Sequence, residues 1–194
     1  MSSHDSNANT DEVSLIAKLR DGDPAAIETL MRVYGERLIR YAARWVESVD
    51  RAREVVQDIF LAVWRDRATL PLTRDVAAYL FWRTRNHAMH VADTDRATHR
   101  REGRWVTEME RERELSSSSG EGLIEAAETD AAIRNALSQV PSRCREVFLL
   151  IWDEHLSYAE VSAVLGIAIP SVRSQMSRAL KHILTALGPR SENR

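Results

Sequence analysis

Apolar residues return every three or four positions along most of this chain, and residues that would interrupt a helix are scarce: seven glycines and five prolines among 194 residues. That spacing gathers apolar side chains on one face of an α-helix, whereas a half-buried strand would alternate apolar and polar residues, a pattern no run here sustains. The expected fold class is all-α. A first helix is expected over 12–20. "DGDPAA" then makes a turn, with Asp23 as N-cap and Pro24 at the first helical position, where a missing N–H forfeits no hydrogen bond. The helix that follows carries Ile27, Leu30, Met31, Tyr34, Leu38, Tyr41, Ala42 and Trp45 as one buried stripe. A third, near 51–67, repeats the pattern with Val55, Val56, Ile59, Phe60, Val63 and Trp64, and a fourth follows a loop at 70–74 and runs from about 75 to 91 or beyond.

The composition changes at "RERELSSSSGEGL", residues 111–123, where four serines and two glycines beside a run of charges read as a flexible linker. The chain therefore divides into a disordered polar tail at 1–10, a helical domain at 11–104, an acidic linker at 105–130, a second small helical domain at 131–188 and a tail at 189–194. In the second domain helices are expected at about 129–139, 142–153, 157–165 and 170–187, punctuated by Pro141 and Gly166. Charge follows the same blocks. The net charge is −2, but residues 71–104 carry +3, 105–130 carry −6 and 131–194 carry +3. Two mildly basic segments thus flank a strongly acidic one.

No stretch approaches the roughly 20 apolar residues needed to span a bilayer, and the start, MSSHDSNANT, has neither the basic residues nor the apolar run of a secretion signal. With a single cysteine, Cys144, there is no internal disulfide framework, and a cytoplasmic protein without membrane insertion is expected. Cys144 lies in an apolar-flanked helical stretch and is expected to be buried. His87 and His90 lie three apart on a helix, with His99 further on, but no cysteine or paired acid completes a metal site. A phosphate-cradling glycine loop, a nucleophile elbow and an acid/base pair are all missing, so neither a cofactor nor an enzyme is expected.

Chemistry concentrates in "AEVSAVLGIAIPSVRSQMSRAL", residues 159–180. Two helices crossing steeply need a small residue where they meet, a turn residue free to take positive φ, and inward apolar residues from both. Ser162 is small, Gly166 sits at the turn, Val161, Leu165, Ile167, Val172 and Met176 supply a shared core, and Pro170 opens the second helix. Ser171, Arg173, Ser174, Gln175, Arg178 and Lys181 are left facing solvent. Arginine and glutamine make paired hydrogen bonds to base edges, while serine, lysine and further arginines hold phosphates. This is the pattern of a DNA-reading helix-turn-helix; the competing description is an amphipathic pair with a solvated charged face.

"ALSQVPSRCREVFLLIWDEHLSYAEVSAVLGIAIPSVRSQMSRALKHIL" is similar to region 4 of extracytoplasmic-function sigma factors, the smallest group of the bacterial sigma-70 family, which directs RNA polymerase to promoters. The first half agrees independently. "LIAKLRDGDPAAIETLMRVYGERLIRYA" and "AREVVQDIFLAVWRD" resemble regions 2.1 and 2.2, and "AAYLFWRTRNHAMH" resembles region 2.3 running into 2.4. The resemblance spans about residues 12–188 and implies that no activity is enzymatic. It also implies that region 2 grips the clamp helices of the polymerase β′ subunit through Glu54, Gln57 and Asp58, that region 4 meets the β flap, and that an anti-sigma factor occludes these surfaces. Region 2 would separate the strands of the −10 element with Tyr79, Trp82, Arg85 and Asn86, beside a loop at 66–75; core packing competes for Phe81 and Tyr79, which favours Asn86 and Arg85 as the contacts. The second helix of region 4 would read the −35 element. Phosphate contacts supplied by the polymerase explain how a chain without excess positive charge engages promoter DNA.

The sequence departs from the family pattern in places. His90 stands where an acid is common, Asp93 and Asp95 dilute an arginine run, Arg83 and Thr84 fall where small or apolar residues are usual, and Gln175 replaces a frequent basic residue. Ala168 and Pro170 leave the second helix of the pair without an N-cap hydroxyl. Two rival functions fit the helix-turn-helix alone: a self-sufficient regulator binding duplex DNA as a symmetric dimer, or an interaction module whose helices sequester a partner.

Overall fold

The computed structural model describes residues 4–70, 75–101 and 136–187, and every regular element among them is α-helical. Two compact units form, one within residues 1–117 and the other within 118–194. The first unit contains α1 (His4–Arg20), α2 (Pro24–Ala42), α3 (Val49–Arg65) and α4 (Val76–Arg101). The second contains α5 (Ser142–Trp152), α6 (Tyr158–Leu165) and α7 (Ile169–Leu187). The acidic linker at 105–130 and the tail at 189–194 lie outside the described residues.

Local chemistry sets most of the helix ends. Asp23 caps α2 by accepting the Ala25 N–H at 3.0 Å, and Pro24 opens the helix as its sequence position requires. Ser48 caps α3 by accepting the Arg51 N–H at 3.1 Å, which moves the start of that helix ahead of the expected position near Arg51. At the N-terminus α1 begins at His4, ahead of the expected start near residue 12. Adding a turn to an existing helix gains one hydrogen bond per residue ordered and avoids the cost of a new nucleus.

The expected stripe of α2 divides between two surfaces. Leu30, Leu38, Tyr41 and Ala42 are buried against α3 and α4 together with Val55, Val56, Ile59, Phe60, Val63, Leu80 and Phe81. Ile27 and Met31 instead line an open groove of about 790 Å³ between α2 and α3, shared with Val56, Phe60 and Leu61, and Met31 is 49% exposed. Tyr41 and Phe81 meet edge to face with ring centroids 5.2 Å apart, which locks the middle of α4 onto α2.

In the second unit α5 and α6 both pack on α7. The core contains Val147, Leu150, Leu156, Val161, Val164, Val172, Met176 and Ala179, with Cys144 buried beside them. Val164, not Leu165, takes the central place; Leu165 and Ile167 are only half-buried. A full capping box starts α6: Ser157 Oγ accepts the Glu160 N–H at 3.2 Å, and Glu160 Oε2 accepts the Ser157 N–H at 2.6 Å. Gly166 ends α6 in the left-handed region, with φ 65°, and the Ser162 hydroxyl donates across the turn to the Ile167 carbonyl at 2.6 Å. Ser162 therefore both gives room at the crossing and staples the turn. A Cβ on Gly166 would meet nothing within 4 Å, so only backbone strain opposes one. Gly166→Ala is expected to destabilise this unit by about 1 kcal/mol, read as a lowered thermal midpoint. The helix after the turn starts at Ile169 and Pro170 is its second residue, with the Ser171 and Val172 N–H groups both bonded to the Ala168 carbonyl.

Candidate nucleic-acid interface

The buried face of α7 is a stripe of Val172, Met176, Ala179 and Ile183, spaced by three and four residues. Its spacing dictates what faces outward. Advancing roughly 100° per residue, Ser174 and Lys181 point directly away from the core, with Arg178 and Ser171 to one side of them. All four are exposed. Gln175 and Arg173 sit on opposite shoulders of this surface, Gln175 half-buried and Arg173 exposed. The Arg173 guanidinium rests over the ring of Tyr158, 5.5 Å from its centroid, so the first residue of α6 sets the direction of an α7 arginine. Ser177 also lies on the outward face, with its hydroxyl bonded back to the Arg173 carbonyl at 3.0 Å. It was missed in the sequence, although its position three residues past Ser174 places it there.

On α4 the structure sorts the aromatic cluster. Phe81 is fully buried, whereas Trp82 is 45% exposed. Tyr79 is half-buried near Trp82, at 6.2 Å between ring centroids. Arg83 explains its unusual position: it donates to the Tyr79 hydroxyl at 2.7 Å while lying over the same ring, fixing that tyrosine's orientation. Thr84 is fully buried. Trp82 and Asn86 line a pocket of about 450 Å³ that also takes in Arg83, His87 and His90 from α4 and Asp58 from α3. Arg85 is not brought into this group. It projects from another side of α4 and packs over the Trp45 ring at 5.4 Å.

Glu54, Gln57 and Asp58 are all exposed and share one face of α3, at the three-and-four spacing of a helix surface. Each has a distinct setting. Glu54 accepts from Arg51 at 2.7 Å, and Arg51 also grips Asp95 with two bonds of 3.0 and 3.2 Å. The Asp95 carboxylate first, and then that of Glu54, hold the Arg51 guanidinium above its ordinary range, so this arginine stays charged and ties α3 to α4. Gln57 borders the apolar groove next to Leu61. Asp58 Oδ2 lies 3.2 Å from His87 Nε2 at the edge of the α4 pocket. Another histidine–carboxylate contact, His99 to Glu47 at 3.2 Å, sits further along α4.

The two units that carry this pocket and this outward helix face correspond, in sequence order, to two known regions. Residues 30–97 match the family model for sigma-70 region 2, and residues 130–183 match that for sigma-70 region 4, together more than half of the chain. The chain belongs to the sigma-70 family. Region 2 and region 4 in that order are the arrangement of the extracytoplasmic-function group that the sequence resembles. This sigma factor is 25% identical over 187 residues to the RNA polymerase sigma-H factor of Pseudomonas aeruginosa, covering 90% of this chain and 93% of that protein. Its fold is similar to that of CnrH in complex with the cytosolic domain of CnrY, with a TM-score of 0.60, 22% identity, and coverage of 89% of this chain and 94% of that one. It is also similar to the sigma factor RpoE in complex with the anti-sigma factor NepR from Bartonella quintana, with a TM-score of 0.58, 21% identity, and coverage of 82% and 95%. The protein is an RNA polymerase sigma factor; it binds core RNA polymerase and promoter DNA to direct transcription initiation. Its family consists of initiation factors, not enzymes. No helix among the described residues is long and apolar enough to cross a membrane.

Proposed function

We propose that the outward face of α7 reads the −35 element and that the α4 pocket receives −10 DNA as its strands part. Arg178, Ser174, Lys181 and Ser171 enter the major groove, while Arg173 and Gln175, on opposite shoulders, reach towards the two sides of it. In region 2, Trp82 offers a stacking face and Asn86 a base-edge reader within one pocket, with Tyr79 held beside them by Arg83. Arg85 contacts backbone from its separate side of α4. Glu54, Gln57 and Asp58 meet the clamp helices of β′, and region 4 meets the β flap. The observation that carries this reading is the division of α7 into a buried apolar stripe and an outward face on which Ser171, Ser174, Arg178 and Lys181 are all exposed.

We further infer a cytoplasmic protein with no catalytic activity of its own, whose domains span 11–104 and 131–188. The sigma factor RpoE, whose fold is similar, is bound to an anti-sigma factor in its structure, and an anti-sigma factor covering the exposed faces is proposed here as well. The decisive test compares DNA binding by the purified chain with binding by the reconstituted holoenzyme. Specific promoter binding is expected only with core polymerase, and tight specific binding by the chain alone would overturn the assignment. Within the holoenzyme, Arg173→Ala is expected to weaken promoter use by about tenfold. If the loss depends on −35 sequence the residue reads a base, and if it is uniform across sequences it holds phosphate.

A further inference from the structure

The connection between α3 and α4 is tied to α1 at two points. Midway along it, Arg20 in the last turn of α1 donates to the carbonyl of Leu70 at 3.1 Å, and Leu70 is itself buried. At its end, Glu12 on α1 accepts the backbone N–H of Val76, the first residue of α4, at 3.2 Å. Residues 71–74 lie outside the described residues.

The second contact is unusual in its origin. The leading N–H groups of a helix have no partner within it and are ordinarily met by the residue just before. Asp75 occupies that place with φ 61°, and its carbonyl accepts the Tyr79 N–H. The cap on Val76 comes from a carboxylate 64 residues earlier in the chain. A negative charge at that helix end also complements the macrodipole of α4. Glu12 and Arg20 lie about 12 Å apart along the axis of one helix, so a single rigid rod holds both the middle of the connection and its far end. The turn after α1 faces the same connection: a Cβ on Gly22, at φ 82°, would lie 3.4 Å from Arg67, whose guanidinium is held by the Trp64 carbonyl at 2.8 Å and lies 4.5 Å from the Trp64 ring centroid.

We propose that α1 positions the promoter-opening helix, with Glu12 and Arg20 as its positioning residues. Neither touches DNA. Glu12 sets the entry of α4, and hence the aim of Tyr79, Trp82 and Asn86 within its next three turns, while Arg20 fixes the path of the chain between α3 and α4 at Leu70. The inference rests on the assignment of α4 to the −10 element.

Holoenzyme reconstituted with wild-type chain, Glu12→Ala/Arg20→Ala or Glu12→Gln is offered two libraries of duplex promoters, one randomised at −10 and one at −35. Open complexes are recovered and sequenced. The double variant is expected to lose about tenfold in −10 base preference, the factor that a charge-assisted hydrogen bond supplies, with −35 preference unchanged. Glu12→Gln, which keeps an acceptor oxygen, is expected to retain most of the −10 preference. A merely structural role would lower the yield of both libraries and leave both preferences intact, and that result overturns the proposal. So does a double variant with wild-type −10 preference. Wild-type holoenzyme selecting at −35 but not at −10 would instead overturn the assignment of α4 itself.

Discussion

Asp58→Arg is expected to lower affinity for core RNA polymerase by about a hundredfold while the chain stays folded. Asp58 is exposed on α3, level with Gln57 and one turn after Glu54. An acidic surface of this kind gains its binding energy from a basic partner, and reversing one charge replaces attraction by repulsion at the same point. Within the chain the substitution touches little: the Asp58 carboxylate contacts His87 at 3.2 Å, on a side chain that is 63% exposed. Stability is therefore expected to change by no more than about 0.5 kcal/mol. Titration of fluorescent core enzyme with wild-type and variant chain measures the first effect and thermal unfolding the second. Equal core affinities would remove α3 from the polymerase interface. Because Asp58 borders the pocket that holds Trp82 and Asn86, the same residue connects the proposed polymerase surface to the proposed promoter surface.

Phe81→Ala is expected to cost the first unit about 3–5 kcal/mol, a large part of the stability that a domain possesses. Phe81 is completely buried, meets Tyr41 edge to face at 5.2 Å and has the Arg37 guanidinium 5.6 Å from its ring centroid. Removing the ring leaves a cavity at the contact between α2 and α4, which the surrounding helices close only in part. The unfolding transition of the first unit is expected to move strongly and that of the second to stay, since each has its own core. The outcome also separates two roles for an aromatic residue. Trp82→Ala, on the exposed neighbour, is expected to leave the transition nearly unmoved and to impair promoter opening. A Phe81→Ala chain with wild-type stability but defective opening would place Phe81 at the DNA and invert that distinction.

Neighbouring positions in this chain show how far local pattern carries. Asp23 and Pro24 announce the start of α2 because capping is a contact between residues two or three apart, and such contacts are written in the order of the chain. The capping box at Ser157 and Glu160 is legible for the same reason, as is Gly166 at the helix-turn-helix. The outward face of α7 follows from arithmetic on one helix. By contrast, periodicity placed Ile27 and Met31 in the same stripe as Leu30, and only the angle at which α3 meets α2 separates groove from core. The preference for Val164 over Leu165 is likewise a matter of helix rotation, one residue wide.

Sequence alone determined the all-helical class, the order of the two regions, most helix ends and the residues that α7 turns outward, because each depends on neighbours within about one or two turns. Tertiary structure decided that Phe81 is core and Trp82 surface, that Arg85 stacks on Trp45 away from Asn86, and that Glu12 caps a helix 64 residues later. Those outcomes depend on crossing angles and on contacts between distant segments, and a period of 3.6 residues specifies which face of a helix is apolar without specifying what that face will meet.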